Sequence, residues 1–450
     1  MAADAVTTLV YRQASITSLD GRSFDLTGKI TEFNYYEDIL KQSVTADMEI
    51  VSSFSYVNQL PIRGGEKVII SLETAFGVVQ FGTKESPDNA LYVYKVSDHN
   101  TERMIEECKI HLTTLERFSN ESTRCQKKYK FQGISQHVED ILENTLQTKK
   151  DIKVEPTANS YTFIGNSKKP FYTLTWLGSK AISRVAEKSG VSGEGKNAEN
   201  KGTAGFLFYE NYDGYHFRSI DSLVANTQVQ DGKSDIEPKF KYFYTGKIIE
   251  NANLKNNITI MRYNSIKNID LRSALKIGMY CNQFYYYDIR SNELSLYNYK
   301  LKDEIKNATK LGSEESITVD SEFAGTPTRS MFRTSDHGVL NPSGSLTESQ
   351  SDSGGDAILA KSVSRINLLF TQGLNILIPL NVKLKVGDLI YCEFPKIEGG
   401  KSTDIDEQMS GNYVIREVHH QFLPNKNKSS LLLMRDSYGL FAPELLDQTL

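Results

Sequence analysis

The sequence predicts an α+β chain that is mostly β, with two small β-barrel domains, an inserted α+β domain between them, and a long flexible insertion. Three observations predict it. Tyr 24 and Phe 21 stand against Trp 1 and Pro 11, and aromatics suit pleated, half-buried surfaces. Strand-like runs open and close the chain, with helical spacing mostly confined between them. The two flanking regions also share a Gly–acid pair followed by similar strands at matched spacing. At 450 residues the chain is long enough for about three domains.

Residues 1–118 are expected to form the first barrel. The runs Ser23 to Phe33, Ser43 to Ser53, Glu66 to Thr74, Asn89 to Asp98 and Glu107 to Arg117 are rich in Val, Ile, Thr and Tyr. The turn formers Asp20-Gly21, Arg63-Gly64-Gly65 and Ser86-Pro87-Asp88-Asn89 separate them. Residues 119–225 read as the α+β domain. Ile134, Val138, Ile141, Leu142 and Leu146 fall at helical spacing. A second helix opens with Pro170 in its first turn, carries Leu174, Leu177, Ala181, Ile182 and Val185 on one face, and is expected to end near Gly190. Phe206 to Tyr209, the Asp213-Gly214 turn and Tyr215 to Ile220 make a β-hairpin.

Residues 226–302 and 357–450 are expected to form the second barrel. Residues 303–356 are crowded with Ser, Thr, Gly, Asp and Glu, which is too long for an ordinary connection and predicts an extended arm or mobile insertion. A short helix from Asp356 to Phe370 follows, then strands including Asp388 to Phe394 and Asn412 to His420.

The repeat sets Gly65-Glu66 beside Gly387-Asp388. From Gly65 to Val93 is 28 residues and from Gly387 to Val414 is 27; from Gly65 to Ile110 and from Gly387 to Leu432 are both 45. Gly tolerates positive φ and a short acid caps local amides, so Gly65, Glu66, Gly387 and Asp388 are candidate turn positions of the two barrels.

Charge and motifs narrow the function. Lys plus Arg is 52 and Asp plus Glu is 56, a net charge of -4, which argues against a protein built to grip nucleic-acid phosphates. The stretch Gly190-Val191-Ser192-Gly193-Glu194-Gly195-Lys196 satisfies part of a P-loop pattern. It follows a helix, however, and Asn197 stands where a magnesium-binding hydroxyl belongs, so a surface loop is the reading. His419 and His420 are strand neighbours and point to opposite faces. His99, His111, His137, His216 and His337 are scattered without ligand spacing. Cys108, Cys125, Cys281 and Cys392 make no CxxC pair and read as reduced, mostly buried thiols. No nucleophile motif is present, so no enzyme, cofactor or metal is expected. Tyr285, Tyr286 and Tyr287 are candidate interface aromatics, with Tyr285 and Tyr287 on one strand face. No secretory leader and no membrane-spanning segment are expected.

The order barrel, α+β insertion, second barrel resembles the central baseplate hub proteins of contractile-tailed, T-even-like bacteriophages. The resemblance is carried by the helix from Gly133 to Leu146, by Pro170-Phe171-Tyr172-Thr173-Leu174, and by Phe206-Leu207-Phe208-Tyr209-Glu210-Asn211 with its Asp-Gly turn. Near the C-terminal end, Leu384-Lys385-Val386-Gly387-Asp388-Leu389-Ile390 and Tyr413-Val414-Ile415-Arg416-Glu417-Val418-His419 resemble the closing strands of the hub's second tube-like domain.

The resemblance implies a structural virion protein, not an enzyme. It implies a homotrimer whose six tube-like barrels match the six-fold tail tube above and seat a three-fold central spike below. Partners would be the spike protein, the tail tube initiator or tube protein and, further out, tape measure and baseplate wedge proteins. Genomic DNA would pass through the lumen in transit. The protein would be assembled in the host cytoplasm and reside in the virion baseplate, where it nucleates assembly. The competing readings are the hub of a related contractile injection particle, a peptidoglycan- or glycan-cleaving tail enzyme, and a monomeric carbohydrate-binding β-protein.

Overall fold

The structure, a computed structural model, describes residues 9–53, 62–102, 104–184, 204–225, 238, 240–244, 258–267, 270–289, 292–304, 308–312, 321–334, 355–396, 405–424 and 426–439. The first region supplies β1 (Val10–Thr17), β2 (Ser23–Asp25), β3 (Ile30–Asp38), β4 (Thr45–Ser52), β5 (Lys67–Thr74), β6 (Gly77–Phe81), β7 (Leu91–Glu102) and β8 (Ile105–Thr114). The middle region supplies α1 (Leu115–Ser122), β9 (Lys128–Gly133), α2 (Ile134–Asp140, continued by a π-helical turn Ile141–Leu146), β10 (Ile152–Val154), β11 (Ser160–Ile164), α3 (Pro170–Gly178), β12 (Phe206–Asn211), β13 (Gly214–Ser219) and α4 (Ile220–Val224). The last region supplies β14 (Phe240–Phe243), β15 (Arg262–Lys267), α5 (Leu271–Lys276), β16 (Cys281–Asp288), β17 (Glu293–Lys300), α6 (Leu301–Glu304), α7 (Ser321–Gly325), β18 (Arg329–Thr334), α8 (Gly355–Leu369), β19 (Gln372–Pro379), β20 (Leu389–Glu393), β21 (Gly411–Phe422) and β22 (Lys428–Arg435).

One 14-stranded sheet runs through both flanking regions in the order β15-β19-β22-β21-β3-β4-β8-β7-β5-β1-β2, with β6, β14 and β20 beside it. Among the described residues no sheet closes on itself. The two expected tube-like barrels are therefore not separate closed units among these residues; the chain is mostly β and its two halves share an open sheet. They share it because β21 is long: β20 occupies one of its edges up to Val414, and β3 takes over the same edge from Glu417 to Phe422.

The strands follow from alternation. In β4, Ala46, Met48 and Ile50 are buried while Thr45, Asp47, Glu49 and Val51 are half-exposed, the period of a sheet with one face on a core. Two cores result. One gathers Phe33, Tyr35, Met48, Ile70, Ile110, Leu112 and Phe422; the other gathers Leu374, Ile376, Val414, Ile415, Leu431 and Leu433. Each such side chain contributes about 1.5–3 kcal/mol on burial.

Each half carries the same strand order, β3-β4-β8-β7-β5 and β15-β19-β22-β21-β20. The bulges also match: β7 slips against β8 between Val93 and Lys95, and β21 slips against β22 between Ile415 and Glu417.

The middle region packs α2 and α3 over the β12–β13 hairpin. The expected helix from Pro170 to Gly190 is shorter, ending at Gly178. Its continuation is captured instead: Ile182 N donates to Asn159 Oδ1 at 3.0 Å and Ala158 N donates to Ile182 O at 2.9 Å. Ala181 and Ile182 are still buried, but from an extended segment. Val185 and the P-loop-like stretch at 190–196 lie outside the described residues. The run Ser23 to Phe33 is likewise broken, by a turn between β2 and β3.

Within residues 303–356, β18 pairs in parallel with β16, making a small sheet β17-β16-β18. Leu311 N and Gly312 N donate to Asp436 Oδ1 and Ser437 Oγ at 3.0 and 2.6 Å. These parts are built into the body, where β18 gives β16 a second partner and α8 covers its apolar face. The rest of the predicted arm, 305–307, 313–320 and 335–354, lies outside the described residues.

The Asp213-Gly214 turn is the tightest test of this packing. Gly214 has φ +129°, and a Cβ there would lie 2.2 Å from Asp151 O. Gly214→Ala is expected to cost about 2–4 kcal/mol, read as a lower urea midpoint at unchanged m-value. An unchanged midpoint would show that the Asp151 backbone gives way freely.

Candidate functional site

The predicted turn positions are built alike. Gly65 N donates to Val93 O at 2.7 Å and Val93 N to Glu66 O at 3.0 Å; Gly387 N donates to Ile415 O at 2.9 Å and Ile415 N to Asp388 O at 3.0 Å. Both glycines are left-handed, at φ +95° and +84°. Glu66 Oε1 accepts from Arg63 N at 2.7 Å, and Asp388 Oδ2 accepts from Lys385 N at 2.9 Å, three residues back in each case. The residue equivalent to Val93 is thus Ile415 rather than Val414, and both spans are 28 residues.

Cross-strand partners put polar groups in rows on one face of the large sheet. One row runs Lys428, Gln421, Asn34, Asp47, His111, Lys95 across six strands. A parallel row carries Glu32, Glu49, Lys109 and Ser97. Glu32 and Glu49 stand directly opposite each other, a repulsive pairing. Asn34 Nδ2 and Gln421 Nε2 donate to Glu32 Oε1, and Lys109 Nζ lies 3.4 Å from Glu49. A hollow of about 350 Å³ opens on the same side where β15, β19, β21 and β3 meet, with Asp38, Lys41, Glu417 and His419 in its lining.

On this face Ser97 Oγ lies 2.8 Å from His111 Nε2, and His111 Nδ1 lies 2.6 Å from Asp47 Oδ1. No sequence pattern signals this chain, because Asp47 is 64 residues from His111. Ser–His–Asp geometry serves nucleophilic catalysis only with donors placed to receive an oxyanion. Here Ser97 Oγ also donates to the Asp98 carboxylate at 3.1 Å, so developing negative charge would meet a like charge. The arrangement works as a hydrogen-bonded tie between β7, β8 and β4. A fluorophosphonate probe is therefore expected to leave Ser97 unlabelled. Labelling that Ser97→Ala abolishes would establish the enzyme reading instead.

His419 and His420 are also hydrogen-bonded. His419 Nε2 pairs with Asn34 Oδ1 at 2.8 Å on the polar face. His420, on the core side, contacts Ser429 Oγ and Leu384 O, and burial lowers its pKa to about 4. Among the described residues no group of three His, Cys, Asp or Glu could hold a metal ion, and no helix is long and apolar enough to cross a membrane. All four cysteines are free and buried.

The three tyrosines divide as strand geometry requires. Tyr286 is buried and stacks on Phe284, while Tyr285 stacks on Phe332 at 4.6 Å and Tyr287 is 41% exposed. With Leu294, Leu296 and Phe332 they leave an apolar face on the small sheet.

Sequence reasoning missed the joints. Glu37, in β3, is fully buried. Its Oε1 accepts from Tyr212 N at 2.7 Å and Tyr35 Oη at 3.0 Å, and its Oε2 from Val386 N at 2.9 Å. One carboxylate thereby ties the first half, the hairpin tip and the second half. Burial pushes its pKa up from 4.5 to about 7, against the pull of those donors. Glu210 does similar work: it accepts from Val44 N at 3.0 Å and Thr114 Oγ1 at 3.1 Å and pairs with buried Lys150. Arg365 of α8 joins Asp221 at 2.6 Å and Asp436 at 2.9 Å.

A raised acid pKa means the native state holds the proton more tightly than the unfolded chain between about pH 4.5 and 7. Glu37 therefore contributes most below that window, and its contribution falls as pH rises through it. The stability gap between wild type and Glu37→Gln is expected to move toward wild type by up to about 3 kcal/mol as pH drops from 7 to 4.5. Paired urea titrations check this, and a pH-independent gap would contradict it.

No known family profile matches the chain. In sequence it is similar to a protein of Vibrio phage KVP40 described as a "Probable baseplate hub protein gp334", with 21% identity over 449 residues, covering 97% of this chain and 96% of the relative. In structure it is similar to a tail protein from Neisseria meningitidis MC58, with a TM-score of 0.52 and 11% identity over 95% of this chain and 97% of the other. It is also similar to the 43 kDa tail protein of prophage MuSo2 from Shewanella oneidensis, with a TM-score of 0.50 and 10% identity over 94% and 98%. The resemblance to T-even-like baseplate hubs carried by the sequence motifs is thus met along nearly the whole chain, and the fold is that of phage tail proteins.

Proposed function

We propose that this chain is the structural hub of a contractile-tail baseplate, a homotrimer that adapts a six-fold tail tube to a three-fold central spike. The observation that carries the reading is the duplicated build: two halves with one strand order, one bulge position and one Gly–acid turn, fused side by side in a single sheet. Three copies then present six similar sheets, so a three-fold assembly offers six-fold matching on one side. The sequence similarity to a hub protein over nearly the whole chain supports the same role.

The polar rows fit a lumen through which DNA passes in transit. Glu32, Asp47 and Glu49 balance Lys95, Lys109 and Lys428, and a face without excess cation does not hold phosphates. The apolar face bearing Tyr285 and Tyr287 suits a protein partner, because exposed aromatics are enriched at interfaces. Partners of this role are the spike, the tail tube initiator or tube protein, and the tape measure and wedge proteins around them. The protein would act in the virion baseplate, assembled in the host cytoplasm, and would nucleate that assembly.

Light scattering after size exclusion tests the reading. The expected mass is three times 50.7 kDa, with the spike and tube proteins co-eluting when added. A chain that stays at 50.7 kDa alone and with those proteins overturns it.

A further inference from the structure

The large sheet contains one joint within the chain and leaves two matching edges outside it. β21 gives its edge to β20 up to Val414 and, past the bulge at Ile415/Glu417, to β3. β7 holds the same place in the first half. It pairs with β5 through Leu91 and Tyr92, and past its bulge at Val93/Lys95 no strand among the described residues takes that edge.

β15 corresponds to β3 in the same way. Phe33 and Asn34 face Met48 and Asp47 of β4, and Tyr263 and Asn264 face Ile376 and Asn375 of β19. Those partners align through β8 and β22: Met48 faces Ile110 and Ile376 faces Leu431, while Ile110 faces Val96 and Leu431 faces Val418. Yet β15 ends the sheet, and among the described residues no strand lies on its outer side. One half therefore has a β21-like edge without its β3, and the other has a β3-like strand without its β21.

We propose that β15 of one copy pairs antiparallel with residues 95–100 of β7 in the next copy, repeating between chains the joint that β3 and β21 make within one. The inference rests on the ring reading above and supplies its contact. Exposed edge strands recruit other strands through their unpaired amides and carbonyls. The flanking side chains favour burial: Met261 is 60% exposed, Ile266 56% and Tyr94 46%. Arg262 on β15 and Asp98 on β7 bring opposite charges to the contact. The two edges are different surfaces, so the contact is heterologous and repeats head to tail, as ring closure needs.

Backbone parity supplies a selective test. Met261 N donates to Leu377 O at 2.8 Å, so Leu377 turns its backbone groups toward β15. Arg262 and Asn264, opposite Leu377 and Asn375, point their amides at β19, while those of Tyr263 and Ser265 point outward. Ser265→Pro removes an outward donor at an exposed position and spares the β19 ladder, a placement proline tolerates on an edge strand. In the full-length chain it is expected to lower the mass threefold, to 50.7 kDa, with unchanged circular dichroism and Tm. A folded variant that stays trimeric overturns the strand contact and leaves the ring reading standing; a wild type that is monomeric with its partners overturns both.

A cysteine pair decides the matter if the proline variant does not fold. Within the chain Asn34 faces Gln421, which faces Lys428 of β22; the matching residue of β8 is Glu107, and because β7 slips again between Ser97 and Asn100 it faces exposed Asn100. Asn100→Cys with Asn264→Cys is expected to give a chain-to-chain disulfide ladder on mild oxidation, absent from each single variant. The native cysteines are buried and do not compete. No ladder from a multimeric double variant overturns the proposal.

Discussion

The pairing of β3 with β21 is the constraint on which the rest of the structure depends. Without it the two halves would be separate sheets joined only by the chain. With it, Phe33 and Phe422 meet at 5.6 Å, Tyr36 stacks on His419 at 4.4 Å, and Ile39 N reaches Arg416 O at 2.9 Å. The middle region docks onto that joint. The hairpin tip at Tyr212 donates to Glu37, its hydroxyl bonds Gln80 in the first half, and neighbouring Asp213 pairs with Lys385 of the second.

The buried charges lie where three segments meet. Glu37 joins β3, the hairpin and Val386; Glu210 joins the hairpin, Val44 and Lys150; Arg365 joins α4, α8 and the segment after β22. Taking such groups out of water is costly, and well-packed apolar substitutes are often as stable. What a buried carboxylate adds is geometry, since it is satisfied only when every donor arrives in place.

How much of this was legible depended on sequence distance. Alternation showed the strands of the flanking regions, and Asp213-Gly214 between aromatic runs showed the hairpin, because both signals are local. The Gly–acid turns were legible as well, but their register against β7 and β21 was not. Val414 sits nearest to Val93 in letters, whereas hydrogen bonding selects Ile415, and pairing register is fixed by partners rather than by residue type. The helix after Pro170 stopped early because Asn159 and Ala158 captured its continuation, a contact no helical period foretells.

The sequence by itself determined most strands of the flanking regions, where the helix at Pro170 begins and where the Asp213-Gly214 turn falls, since these follow from side-chain period and backbone allowance within a few residues. Only the tertiary structure decided that the two similar halves share a sheet, that Glu37 sits in the joint, and that Ser97, His111 and Asp47 line up. Those outcomes depend on residues up to 389 positions apart, as for Glu32 and Gln421. Loop closure over such spans fixes nothing until packing and hydrogen bonds on both sides are in place.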